Sequence, residues 1–316
     1  MTMRIIVLHL AVLVGLFALQ FAASDYAVLT LTRIMVLAIY AVGYNLLFGY
    51  AGLLSLGHAM FFATGLYTAA IGTTRFGLSV PEAFLLAILI GVAVSLIMGA
   101  IILRAAGVAF MIVTLMFSQA AFLTVLYFGE YTRGDEGIVI PDTIRIFTFL
   151  GHTVDLTDPV LRYNLALGLL ALAVAVTLVL VGSKFGHVLV AIRENENRTT
   201  MLGYDVARYK LIAFVISGTL SGVSGAAYAL MFAYAGSTLA SIQYSIHPLL
   251  WTLLGGASTI LGPVLGTAIM FLLVDFASGF TNANLLMVGA VLIALVLFFP
   301  KGILGTIRQR FLPWLP

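Results

Sequence analysis

Apolar residues along this chain form unbroken runs, not the one-faced stripes of a soluble helix or the alternation of a strand. Seven stretches carry no Asp, Glu, Lys or Arg: 5–24, 34–74, 83–103, 105–129, 163–183, 211–274 and 276–300. A membrane-spanning helix needs about 20 apolar residues, so each stretch supplies at least one crossing. The stretches 34–74 and 211–274 hold 41 and 64 residues, enough for two and three crossings. The pattern predicts an all-α, polytopic membrane bundle, a single transmembrane domain over residues 1–316.

The charges between the runs orient it. Residues 129–162 carry six acids and three bases, and residues 184–210 carry five bases and three acids. Beyond Pro300 stand Lys301, Arg308 and Arg310 with no acid. Basic residues favour the cytoplasmic side, which makes 129–162 an external loop and 184–210 a cytoplasmic segment. The chain is inside at Lys210 and again at Lys301, so an even number of crossings lies between. With Arg4 also inside, the count comes to about ten transmembrane helices with both termini cytoplasmic. Arg33 and Arg75 then fall outside, and Asp275 lies near the outer surface between two spans. Arg4, an apolar core and Ala22-Ala23-Ser24 mimic a secretory signal peptide; the polytopic remainder favours a retained first helix.

Composition agrees. Apolar residues make up 62% and charged residues 9%, against about 25% charged in soluble domains, and the mean hydropathy is +1.16. A net charge of +3 gives no basis for nucleic-acid binding. The absence of cysteine excludes disulfides and thiolate metal sites, and no metal site is expected elsewhere. None of the three lysines follows a glycine, so there is no Walker A sequence, nor is there an HExxH. Any ATP hydrolysis must occur on another subunit.

Two apolar stretches are rich in glycine. "LLFGYAGLLSLGHAMFFATG" covers 46–65 and "LLGGASTILGPVLGTA" covers 253–268. Paired interrupted segments in the two halves of a transporter point to its binding region, while ordinary tight turns at the membrane surface give the same composition. Small residues at Ser217, Ser221, Gly225 and Ala229 allow close helix approach in lipid. "GVSG" at 222–225 also matches the GxSG of rhomboid intramembrane proteases, with His247 as the base that reading would need. Polar side chains inside apolar runs tend to face a bundle interior or cavity. Asn45, Ser55, His58, Thr114, Ser118 and Gln119 are the candidate translocation-pathway residues, against the plainer reading of helix–helix hydrogen bonds.

Residues 184–210 hold eight of the 27 acidic and basic residues. As one helix, 188–201 puts Leu189, Ile192 and Met201 on an apolar side and leaves Arg193, Glu194, Glu196 and Arg198 as a charged face, with Gly203 as the stop. A solvated loop would read the same way. The stretch "GHVLVAIRENENRTTMLGYDVARYKLIAFVISGTLSGVSGAAYA", 186–229, resembles the hallmark region of ABC-importer permeases for branched-chain amino acids, the LivM type. Ala191, Ile192, Arg193, Glu194, Asn195, Glu196, Leu202 and Gly203 match its coupling motif, which docks on the ATP-binding subunit. "YNLLFGYAGLLSLGHAMFFATGLYTAA" from Tyr44, "LLGGASTILGPVLGT" from Leu253 and "LFFPKGILG" from Leu297 resemble further family segments in order. The chain departs at Ser245-Ile246-His247, where the family often ends the triplet in glutamate, and in "TRGDEGI" at 132–138.

The resemblance implies a permease subunit of an importer in a bacterial-type cytoplasmic (inner) membrane, itself not an enzyme. It would translocate branched-chain or other hydrophobic amino acids delivered by an extracytoplasmic binding protein. A urea or short-amide permease of the same group is the alternative in substrate, and Trp251, four residues after His247, keeps it open. The implied partners are a second homologous permease subunit, in a heterodimer, and two ATP-binding subunits that use ATP and Mg; no cofactor is expected on this chain. Arg193, Glu194, Glu196 and Arg198 would make paired contacts with the ATPase.

Overall fold

The computed structural model describes residues 3–149, 151–280 and 301–310, together with 286, 289, 290, 292, 293 and 297–299. In the first half, α1 is Met3–Leu19, α2 is Asp25–Asn45 prolonged by a π-helical turn Leu46–Tyr50, α3 is Ala59–Thr74, α4 is Val80–Ile102 and α5 is Val108–Tyr127. A connecting region follows: α6 Gly129–Thr132, β1 Ile138–Val139, α7 Asp142–Arg145, and the hairpin β2 Ile146–Phe149 and β3 His152–Asp155. Then come α8 Pro159–Gly182, α9 Lys184–Glu194, α10 Glu196–Met201, α11 Val206–Phe232, β4 Tyr234–Ala235, a 3-10 turn Ser237–Ala240, α12 Ile242–Gly255, α13 Gly262–Phe280 and a last helix Ile303–Arg310. The protein is a helical membrane bundle; its short strands form two small ribbons, β1 with β4 and β2 with β3.

Among the described residues, six helices are long and apolar enough to cross a membrane: α2 with its π turn, α4, α5, α8, α11 and α13. The expected spans near α1, α3 and α12 are helices of 17, 16 and 14 residues, below the usual crossing length. α3 and α12 are short because irregular segments, 51–58 and 256–261, take up part of each run. Of the expected tenth span, 276–300, about half lies outside the described residues.

Two charge-based boundaries are corrected. Arg33 does not end a span; α2 begins at Asp25, where the Ser24 hydroxyl caps it by accepting from Ala27 N. Arg33 lies in the third turn, its guanidinium over the rings of Phe232 (5.0 Å) and Phe271 (5.9 Å), so cation–π attraction replaces part of its hydration. Asp275 does not divide two spans either. α13 runs through it, and Asp275 Oδ1 accepts from Tyr26 OH at 2.7 Å.

α11 is the central helix, packed along α2, α3 and α4. Its small-residue stripe works as expected. Gly225 lies so close to α3 that a Cβ there would overlap the Phe62 carbonyl oxygen, and a Cβ on Gly65 would overlap that of Gly222. Lipid offers no hydrophobic drive for helix association, so such contact is the main attraction available.

The 24-residue α8, about 36 Å at the standard rise, separates residues 129–158 from α9 and α10. The 129–158 region folds onto the C-terminal end of α11. Arg145, 5% exposed, donates from Nε to Leu230 O (3.1 Å) and from Nη2 to Met231 O (2.9 Å) and Leu156 O (2.7 Å), and pairs with Asp142. A guanidinium placed on the last carbonyls of a helix satisfies its orphan acceptors and its dipole. In the following turn, hydrogen bonds from the Thr157 hydroxyl and backbone hold the Asp155 carboxyl below the usual carboxylate range.

Candidate functional site

The charged segment is two helices, not the single helix expected over 188–201. α9 stops at Glu194 because Asn195 is extended (φ −163°, ψ 103°), and its Oδ1 then caps α10 by accepting from Arg198 N at 2.9 Å. Ala191 O takes the last helical bond of α9, from Asn195 N. Gly203, at φ +88°, ends α10 in the left-handed conformation that glycine adopts without strain. Leu189 and Ile192 are buried as expected, but Met201 is 86% and Leu202 75% exposed. The break at Asn195 turns α10 away from the bundle, so its end presents Met201, Leu202 and Tyr204 outward.

The charged face is present, with Arg193, Glu194, Glu196 and Arg198 all exposed, and three of the four are already paired within the chain. Glu196 Oε2 receives Lys210 Nζ (2.6 Å) and Glu194 Oε1 receives Arg193 Nη2 (2.7 Å). Arg198 alone of the four has no side-chain ion pair among the described residues. Arg193 also reaches back across the surface of the bundle: Nη1 donates to Gly49 O (2.6 Å) and to Ser258 Oγ (2.5 Å). Gly52, at φ +72°, makes room, since a Cβ there would stand 2.6 Å from Arg193 Cγ.

Gly49 and Ser258 belong to the two glycine-rich breaks, and the structure brings those breaks together. Ser258 Oγ donates to Gly49 O (2.7 Å). Asn45 locks the join with its amide: Oδ1 accepts from Ser258 N (3.1 Å) and Nδ2 donates to Thr259 O (2.9 Å). Arg308 Nη1 adds a bond to Ser258 O at 3.0 Å. Ser258 itself sits at φ +62°, a strained conformation for serine, held by these four partners. One guanidinium thus bonds α9 to both interruptions of the bundle.

Four of the other expected pathway residues form a second, fully buried network around the first break. His58 bonds Ser55 Oγ through Nδ1 (2.9 Å) and Ser217 Oγ through Nε2 (2.8 Å), and Ser217 Oγ donates to Gly43 O (2.6 Å). Thr114 Oγ1 accepts from Leu56 N (3.0 Å), and Ser118 Oγ lies 3.3 Å from Ser245 Oγ, which accepts from Ala59 N (2.9 Å). Tyr44 OH donates to Ser55 O (3.0 Å). The buried end of the break, from Ser55 to Ala59, is thus held by side chains of α2, α5 and α12 that take up backbone groups a water-poor interior would leave unpaired. Gln119 stands apart, half-buried and without a hydrogen bond among the described residues. Sequence reasoning missed Gly49, Ser258, Thr259 and Arg308 as one group; the hydroxyls inside "GGAST" were the available signal.

The serine–histidine pair required by the protease reading is not formed. Ser224 Oγ donates to Val36 O at 2.6 Å, whereas His247 stacks on Trp251 and meets Tyr244 edge-on. Ser224→Ala is expected to leave transport unchanged, at a stability cost of about 1 kcal/mol for one hydrogen bond; uptake and thermal-melting assays check both.

The family described as "Branched-chain amino acid transport system / permease component" matches residues 26–299. The chain is 28% identical to the high-affinity branched-chain amino acid transport system permease protein LivM of Salmonella typhimurium over 95% of its length and 75% of that protein's. LivM of Escherichia coli gives the same figures. A probable branched-chain amino acid transport permease protein LivH of Methanocaldococcus jannaschii is 25% identical over 85% of this chain and 88% of that one. No solved structure matches. The match spans both glycine-rich breaks and the segment that bonds them, so this chain belongs to the permease-component family of branched-chain amino acid transport systems.

Proposed function

We propose that the chain is the membrane-spanning permease subunit of an ATP-driven importer for branched-chain or other hydrophobic amino acids. It crosses a bacterial-type cytoplasmic membrane with ten helices and both termini inside; residues 129–162 face outward and residues 184–210 face the cytoplasm. A second homologous permease subunit completes the pathway as a heterodimer, two ATP-binding subunits hydrolyse ATP with Mg, and an extracytoplasmic binding protein delivers substrate to the 129–162 face. The observation that supports this reading best is Arg193, which joins the coupling segment to both breaks.

The exposed end of α10, with Met201, Leu202 and Arg198, is the docking surface for the ATPase. Closure of the ATPase pair moves α10 and α9, and the Arg193 guanidinium carries the displacement to Gly49 and Ser258. The polar residues around Ser55 and His58 brace the first break, and Gln119 is the side chain left free to meet substrate in the pathway. Specificity rests largely on the binding protein, so a ligand screen on that protein identifies the substrate.

The coupling reading is tested by Gly203→Pro and Glu194→Lys. Proline cannot adopt the +88° φ of Gly203, and lysine at 194 sets a cation beside Arg193 in place of its partner. Both variants are expected to insert normally and to hydrolyse ATP in the assembled complex with substrate uptake reduced severalfold. Wild-type uptake per ATP in reconstituted vesicles would sink the reading.

A further inference from the structure

Two adjoining cavities open beside the Arg193–Ser258 junction. One, of about 460 Å³, is lined by Arg193, Lys301, Arg308, Ser258 and Thr259 with three apolar residues and no acid. The other, of about 370 Å³, shares Arg193, Ser258 and Arg308 and has apolar walls from Ile5, Leu178, Val181 and Val190.

The charges are unevenly spent. Arg193 is occupied by Glu194, Gly49 and Ser258. Arg308 gives one Nη to Ser258 O and pairs with no carboxylate among the described residues, and Lys301 is exposed with no ion pair among them. A second observation is independent of charge. Tyr50 lines the apolar cavity, is 3% exposed, and its buried hydroxyl has no hydrogen-bond partner among the described residues. A buried hydroxyl is normally satisfied, so this one is a donor awaiting an acceptor.

We propose that the two cavities together bind one anionic phospholipid, its phosphate between Arg308 and Lys301 and within reach of the Tyr50 hydroxyl. The start of its acyl region would lie along Ile5, Leu178, Val181 and Val190. A free phosphate would leave the apolar walls unused; an amphiphile matches both halves. The level in the fold fits, because Gly182 and His187 flank the α8–α9 turn, where the apolar run gives way to charge, and basic clusters at that boundary attract anionic headgroups. The proposal rests on the membrane orientation given above and not on the transported substrate. A lipid held there would stiffen the Ser258 turn that receives Arg193.

The test uses the full-length chain purified in detergent and titrated with phosphatidylglycerol, phosphatidylcholine or inorganic phosphate. Native mass spectrometry reads bound lipid and thermal melting reads stabilisation. Phosphatidylglycerol is expected to bind and raise the melting temperature, and phosphatidylcholine to do neither. Removal of each cation weakens binding about fivefold, in Lys301→Gln and further in Lys301→Gln with Arg308→Gln. Lys301→Gln leaves the Arg308–Ser258 bond intact, so it reports even if the double variant folds poorly. Equal phosphatidylglycerol affinity in wild type and Lys301→Gln would overturn the proposal, as would equal binding of phosphatidylcholine. Stabilisation by inorganic phosphate matching that of the lipid would overturn the lipid assignment. No readout involves uptake or ATP hydrolysis, so failure here leaves the permease reading standing.

Discussion

Under the proposed function, Arg193→Ala is expected to abolish most substrate uptake while the ATP-binding subunits continue to hydrolyse ATP. The guanidinium makes two charge-assisted bonds across the junction, to Gly49 O and Ser258 Oγ. Such bonds contribute about 1.5–3 kcal/mol each, and an alanine leaves two acceptors in a polar joint without their shared donor. Ser258 still reaches Gly49 O, and Asn45 still ties the turn, so the breaks stay together. What is lost is their polar link to α9, whose Leu189 and Ile192 still pack against the first break. The side chain is 31% exposed, which tempers the energy but not the geometry. Arg193→Lys should recover only part of the function, because an ammonium on a flexible stem does not reproduce the planar fork. Uptake and ATP hydrolysis measured together in proteoliposomes decide it. An unchanged ratio of substrate moved to ATP consumed would show that motion enters the bundle by another route.

The largest expected effect on stability is at the crossing of α3 and α11. Gly225→Ala places a methyl group against the Phe62 carbonyl, and Gly65→Ala places one against that of Gly222. Backbone, not a movable side chain, is the obstacle, so the helices must separate along their whole contact. Overpacking costs about 1–3 kcal/mol in a typical core; a carbonyl in the path and the lost close contacts put these two at the upper end. Gly168→Ala is the control. It lies exposed in α8 with nothing within 4 Å of a new Cβ, and alanine is about 0.5–1 kcal/mol better than glycine inside a helix. Melting followed by size-exclusion chromatography should show both crossing variants unstable or aggregated and Gly168→Ala unchanged or improved. A Gly225→Ala protein that melts with the wild type would mean that the crossing is looser than its geometry.

Much of the bundle was legible before any coordinates. Charge-free runs translate directly into helices because lipid forces every backbone group into an internal hydrogen bond, and the small-residue stripe of α11 named its own packing face. Boundaries were less legible. Charge in the sequence predicts the edge of a span at Arg33 and Asp275, yet aromatic rings over Arg33 and the Tyr26 hydroxyl on Asp275 let α2 and α13 carry them. Those partners lie far away in the sequence, where no local pattern reports them.

The site divides in the same way. Local pattern alone marks 184–210 as the water-exposed segment, Gly203 as a helix stop and 46–65 and 253–268 as glycine-rich segments that are either interrupted helices or surface turns, since charge density and glycine content act within a few residues. It was silent on direction. Asn195 adopts an extended backbone and splits the segment into two helices, and Met201 turns outward with the second of them. Arg193 reaches back across the bundle surface, because Gly49 and Ser258, 144 and 65 residues away, converge on it only once the bundle has closed. A guanidinium is long and carries donors on several sides, so its sequence neighbours do not say which acceptors it will meet. Packing decides that, and here it makes one exposed charge the link between α9 and both breaks.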